Sequence, residues 1–90
     1  MKSKIRFVTI GYIEWRKGQD LLLDAIERLP GEIAEKTDFF IVGQNTSLMA
    51  AELAKRIAGI PNVTMPGTLP RKEIHRCLDE ADVLICPSRE

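Results

Sequence analysis

The sequence predicts an α/β fold: a three-layer arrangement of about four parallel strands in the order 3-2-1-4, with helices on both faces. Three observations lead to the class and its layers, with the strand order as a premise. Along 90 residues, four short apolar runs alternate with three amphipathic stretches of helical period. The second apolar run, Phe39-Phe40-Ile41-Val42, is unbroken, as in a strand buried on both faces. No internal repeat, low-complexity segment or interior linker divides the chain, so residues 1–90 read as one domain.

Each element has its own warrant. Residues 5–10 form the first strand, a β-branched run stopped by Gly11. Residues 19–29 form the first helix, with Leu22, Ala25, Ile26 and Leu29 on one face, and Pro30-Gly31 stops it. The second strand covers residues 39–42 and ends at Gly43. Thr46 or Ser47 caps the second helix, whose stripe is Met49, Ala50, Leu53, Ala54 and Ile57; Gly59 follows its end. Residues 62–65 make a short third strand closed by Pro66-Gly67. Pro70 suits the first turn of the third helix, where Ile74, Cys77, Leu78 and Ala81 share a face. Residues 83–86 are the last strand, interrupted by Pro87-Ser88. Crossovers should be right-handed. The order 3-2-1-4 leaves the fourth strand on an edge, and its open backbone predicts a homodimer through that strand.

Composition narrows the function classes. Thirteen basic residues balance thirteen acidic ones, which argues against nucleic acid as the main partner. The 44% hydrophobic content suffices for a core. The chain opens Met1-Lys2-Ser3-Lys4 and has no apolar stretch long enough for a signal or a membrane span, so any membrane link would be indirect. Cys77 and Cys86 form no CxxC pair and lie in apolar patterns; buried free thiols and a cytoplasmic setting are expected. His75 falls on the outward face of the third helix, a surface position.

The stretch from Phe7 to Asp20 carries the chemistry. An apolar strand stops at Gly11, a short loop brings Arg16 and Lys17, and Gly18 leads into a helix. Backbone N–H groups and two cations thereby surround one point, which suits the diphosphate of a nucleotide. The same pattern also fits an ordinary strand-to-helix connection whose basic pair is merely solvated.

Four motifs in order resemble one family. The run Gly11 to Gly18 is followed by the strand end Phe40-Ile41-Val42-Gly43, then by Val63 and Gly67, then by Ala81-Asp82-Val83-Leu84-Ile85-Cys86-Pro87-Ser88-Arg89. Together they are similar to the Rossmann-like, nucleotide-sugar donor-binding domain of GT-B glycosyltransferases, the retaining group 1 (family 4) enzymes. The resemblance spans essentially the whole chain. It implies a nucleotide-sugar bound at the carboxyl ends of the strands, where open α/β sheets hold ligands. The donor is a substrate, and no cofactor or metal is implied.

The family's first loop reads Gly-Arg, a few residues, then Lys-Gly, and its two cations hold the donor diphosphate. Lys17 falls on the lysine position, Tyr12 on the arginine position, and Arg16 is the cation left to compensate. The resemblance assigns Lys17 and Arg16 to catalysis. It assigns Gly11, Gly18, Gly43, Gly67, Thr68, Ser88 and Arg89 to donor binding, with Leu69 a weaker candidate near the base. Gly43 fits a simple strand-to-loop turn equally well. The family also carries two glutamates seven residues apart after Pro-Ser-Arg; the first usually falls one residue beyond Glu90.

The chain is therefore expected to be the first part of a donor-binding domain, its partners the donor and the remainder of a parent hexosyltransferase acting on a sugar or lipid acceptor. By itself it is expected to be inactive, because transfer needs reactants oriented between two domains. A non-catalytic nucleotide-binding or assembly module is the alternative. A receiver-like domain fits less well, because the first two strands end in Gly11 and Gly43 rather than in acids.

Overall fold

Side chains alternate across a strand, so parallel strands in register divide a sheet into two faces. The computed structural model describes residues 4–89. In chain order it contains β1 (Ile5–Ile10), a 3-10 turn (Trp15–Lys17), α1 (Gln19–Glu27), α2 (Gly31–Ala34), β2 (Thr37–Val42), α3 (Leu48–Ile57), β3 (Val63–Gly67), α4 (Arg71–Glu80) and β4 (Val83–Leu84). The four strands are parallel and ordered β3-β2-β1-β4, the order the sequence predicts.

One face carries the main core. Phe7 lies opposite Phe39, which lies opposite Val63, and the two phenyl rings stack 4.8 Å apart. Leu23 and Ile26 of α1, and Ala50 and Leu53 of α3, bury themselves with Phe39, Ile41 and Val63. The opposite face is set by Val8 and Val42, both buried, and by half-buried Phe40. There α4 is the cover among the described residues, and its Ile74 lines a cleft together with Ile10 and Val42.

Several boundaries differ from expectation, each for a physical reason. Helix α1 ends at Glu27, and its buried stripe is centred on Leu23 and Ile26 while Ala25 faces solvent. Ala54 is likewise exposed on α3. Alanine is compatible with either side of a helix, so periodicity does not fix the stripe's edge at either place. Pro30-Gly31 starts a second short helix instead of only ending the first; the Pro30 carbonyl accepts from Ile33 and Ala34. Strand β2 begins at Thr37, whose buried hydroxyl donates to Ala34 O and accepts from Asn62 Nδ2. Ser47, not Thr46, caps α3, its hydroxyl accepting from Ala50 N–H at 3.0 Å.

At the C-terminal end the departures are larger. No residue of α4 is fully buried: Ile74 and Cys77 are half-covered and Leu78 is exposed. Strand β4 has two residues, paired to β1 at Phe7 and Val8. Cys86 lies beyond it and is exposed, not buried, while Cys77 is half-buried; both thiols are free. His75 is exposed. Glu90 and Met1-Lys2-Ser3 lie outside the described residues. No helix among those described is long and apolar enough to cross a membrane.

Candidate functional site

The carboxyl ends of β1, β2 and β3 converge because two loops are glycine at the point of contact. A Cβ on Gly43 would stand 1.8 Å from the carbonyl oxygen of Gly11, so no side chain fits there. Gly11 donates to Val42 O at 3.0 Å, Gly43 to Gly67 O at 3.2 Å, and Ile13 to Gln44 O at 3.1 Å. These bonds lock the loops after the strands into one platform. Gly43 is thus explained by close backbone approach between loops.

Lys17 lies on this platform. Its Cδ and Cε run 3.9 and 4.0 Å from where a Cβ on Gly11 would be, so the stem covers that glycine. Among the described residues its ammonium has no ion-pair partner. Beside it, Ile10, Val42, Leu69 and Ile74 line a cleft of about 300 Å³, with Tyr12 and Thr68 at its margin. Gly11, Lys17, Gly43, Gly67 and Thr68 are therefore brought together.

The remaining predicted residues form a second group around the 3-10 turn. Arg16 extends its guanidinium to Glu14 Oε1, at 2.6 and 3.0 Å. Its carbonyl accepts from the Arg89 amide at 2.9 Å and from the Ser88 hydroxyl at 3.2 Å. Gly18 takes a left-handed conformation, φ 71°, and a Cβ there would come 2.1 Å from the Pro87 carbonyl oxygen. Residues 87–89 consequently lie flat on the start of α1.

Arg89 is held within the chain. It pairs with both oxygens of Asp20, at 2.9 and 2.8 Å, bonds the Trp15 carbonyl, and stacks 4.3 Å above the Trp15 ring. The Arg89 bonds, above all, hold the Asp20 carboxyl below its ordinary pKa of 3.8, and the amides of Leu21 and Asp20 add to this. A carboxylate thus already serves the helix N-terminus that the sequence offered to an anion. Among the described residues, the platform's free cation is Lys17.

Three contributors escaped the sequence reading. Gln19 is 2% exposed and donates from Nε2 to the Tyr12 carbonyl at 2.9 Å, fixing the loop from within; among the described residues its Oε1 has no hydrogen-bond partner. A polar residue on the stripe shared with Leu23 and Ile26 was the available signal. Asp20 and Trp15 act through Arg89, 69 and 74 positions away, and no local pattern encodes such a pairing. A larger cavity, about 550 Å³, opens at the amino ends of the strands near Ile26, Leu29, Ile60 and Asn62. Its one cation, Lys4, is already paired with Asp38 at 3.6 Å. The carboxyl end, where open α/β sheets bind ligands, is the better candidate.

The comparisons agree with this architecture. A family model described as glycosyl transferases group 1 matches residues 4–90. Among solved structures, the chain is similar to WaaG, a glycosyltransferase involved in lipopolysaccharide biosynthesis, with TM-score 0.78 and 24% identity. That match takes in 100% of this chain but 24% of WaaG, so the chain spans about a quarter of that protein's length. No curated protein matches it by sequence.

Proposed function

The chain belongs to the glycosyl transferases of group 1, and from that premise we propose that it binds the nucleotide-sugar donor of a retaining glycosyltransferase. The parent enzyme would transfer a hexose to a sugar or lipid acceptor in the cytoplasm, a setting in keeping with two free thiols. One observation carries the reading. Lys17 lays its stem over Gly11 and keeps its ammonium clear of the described acids at the carboxyl end of a parallel sheet.

In this role Lys17 meets the donor diphosphate. As the bond between anomeric carbon and phosphate oxygen breaks, negative charge grows on the departing nucleoside diphosphate. A fixed ammonium beside it stabilises that charge more than it stabilises the bound substrate, which is what accelerates the step. Arg16 supports the loop from Glu14, and its carbonyl anchors residues 88 and 89. The isolated chain is expected to bind donor without turning it over, because the transfer geometry needs a second, acceptor-holding domain.

The test is an NMR titration with UDP-, GDP- and ADP-sugars, following the amides of Gly11, Lys17, Gly18 and Gly67. Saturable shifts confined to these loops, and abolished in Lys17→Ala, are expected. A folded protein whose loop amides respond to none of the three would overturn the reading and favour an assembly module.

A further inference from the structure

Tyr12 combines a pinned backbone with a free ring. Its neighbours Gly11 and Ile13 donate to Val42 O and Gln44 O, and its own carbonyl accepts from buried Gln19. The Ile13 side chain, 1% exposed, anchors the loop in the core. Yet the Tyr12 side chain is 61% exposed and stands at the margin of the apolar cleft. A large aromatic ring left in water on a fixed backbone has few torsions to lose on binding.

The cleft selects for one part of a ligand. Its walls are aliphatic, from Ile10, Val42, Leu69 and Ile74, and no charged side chain lines it. At about 300 Å³ it lies at the small end of ligand pockets, with room for a ring system and its ribose. The amide of Gln44 and the hydroxyl of Thr68 offer hydrogen bonds at the edge. Charge is provided for next door, where Lys17 covers Gly11. An uncharged, flat, hydrogen-bonding group attached to an anion fits this division.

We propose that Tyr12 is a stacking platform for the donor's nucleobase, which enters the Ile10–Val42–Leu69–Ile74 cleft while the diphosphate goes to Lys17. The proposal rests on the donor-binding reading above and assigns a specificity role to a residue that reading does not use. Gln19 acts here as a positioning residue, holding the Tyr12 carbonyl and with it the backbone that carries the ring.

The test compares wild type, Tyr12→Phe and Tyr12→Ala for binding of UDP, GDP and ADP, and of inorganic pyrophosphate as the base-free probe. Tyr12→Ala should weaken nucleotide binding roughly tenfold or more, the scale of base stacking on an aromatic side chain. Tyr12→Phe, which keeps the ring, should change it by less than about twofold, and pyrophosphate binding should stay within about twofold in both variants. Tyr12 is the only tyrosine, so its ring protons are a unique NMR probe that should shift with nucleotide and not with pyrophosphate.

Unchanged nucleotide affinity in Tyr12→Ala overturns the proposal. Equal losses in Phe and Ala, or equal losses for nucleotide and pyrophosphate, also overturn it, by assigning the phenol to phosphate. Wild type that binds pyrophosphate but shows no preference for a nucleoside diphosphate overturns it while sparing Lys17. Wild type that binds neither overturns the donor reading itself.

Discussion

The two faces of the sheet are held together by different physics. On one, α1 and α3 bury Leu23, Ile26, Ala50 and Leu53 against Phe39, Ile41 and Val63. On the other, α4 lays a half-covered stripe over Val8 and Val42, and polar contacts do much of the fastening. Arg6 stacks 4.6 Å from the Phe40 ring centre and pairs with Glu80, while its amide donates to Asp82 at 2.7 Å. Such exposed ion pairs contribute about 1 kcal/mol or less. Buried aliphatic side chains contribute about 1.5–3 kcal/mol each. The larger share of the stability therefore belongs to the first face, although Val8 and Val42 are buried on the second. The candidate cleft opens beside the second, between Ile10, Val42 and Ile74. Binding regions are commonly drawn from the less stable part of a fold, where adjustment costs least.

The sharpest way to break this comparison is to delete the same side chain from each face. Leu23→Ala, at a fully buried site, should cost about 2–5 kcal/mol. At 90 residues that lowers the melting temperature by roughly 10 °C or more. Leu78→Ala, at a site 42% exposed on α4, should cost under about 1 kcal/mol. Thermal unfolding of both variants decides it. Similar losses would mean that α4 carries more of the core than its exposure indicates.

That asymmetry also marks what was legible in the sequence. The strand positions were readable because apolar runs and turn residues are local signals, whereas no local run fixes which strand lies beside which, so the order was a premise that the folded sheet then met. Phe39 to Val42 announces a doubly covered strand, and Gly43 its end. The α4 stripe of Ile74, Cys77 and Leu78 reads like a core helix too, although the structure leaves it half-covered. Periodicity says which face of a helix is apolar and not how much protein covers it. Helix α2 was hidden because Pro30-Gly31 is a stop signal in almost any context. In the candidate site, Gly11, Lys17 and Gly43 stood out by type and spacing. Gln19 and the Asp20–Arg89 pair did not, since their meaning arises only once the chain has folded.

The second face ends in an open edge, which gives a way to sharpen the contrast. Val83 and Leu84 are 40% and 57% exposed on a two-residue strand bonded on one side to β1. Exposed apolar edges are where chains pair with copies of themselves. We expect self-association of this chain with rising concentration, reversed by Val83→Lys with little change in melting temperature. Light scattering across a concentration series measures it, and a clean monomer throughout would place the association elsewhere or nowhere.

The smallest expected effect concerns the strap that joins the two regions. After β4 the chain crosses to the start of α1, where Arg89 binds Asp20 and covers Trp15. The folded carboxyl of Asp20 titrates below its ordinary 3.8, chiefly because of its hydrogen bonds from Arg89. A depressed carboxyl pKa gives stability that is fully present above the unfolded value. It is lost as pH falls through the folded value, so the window lies below pH 3.8. Trp15 is the only tryptophan and lies directly under the Arg89 guanidinium, so its emission reports the release. We expect an emission change in that acid window while far-ultraviolet dichroism stays constant, and Asp20→Asn should show the acid-form emission already at pH 7. If Asp20→Asn leaves the wild-type emission at pH 7 intact, the strap is held by the Trp15 stack and by hydrogen bonds to the Trp15 and Arg16 carbonyls. The charge pair would then be a passenger, and the two regions would be joined by packing and backbone hydrogen bonds rather than by electrostatics.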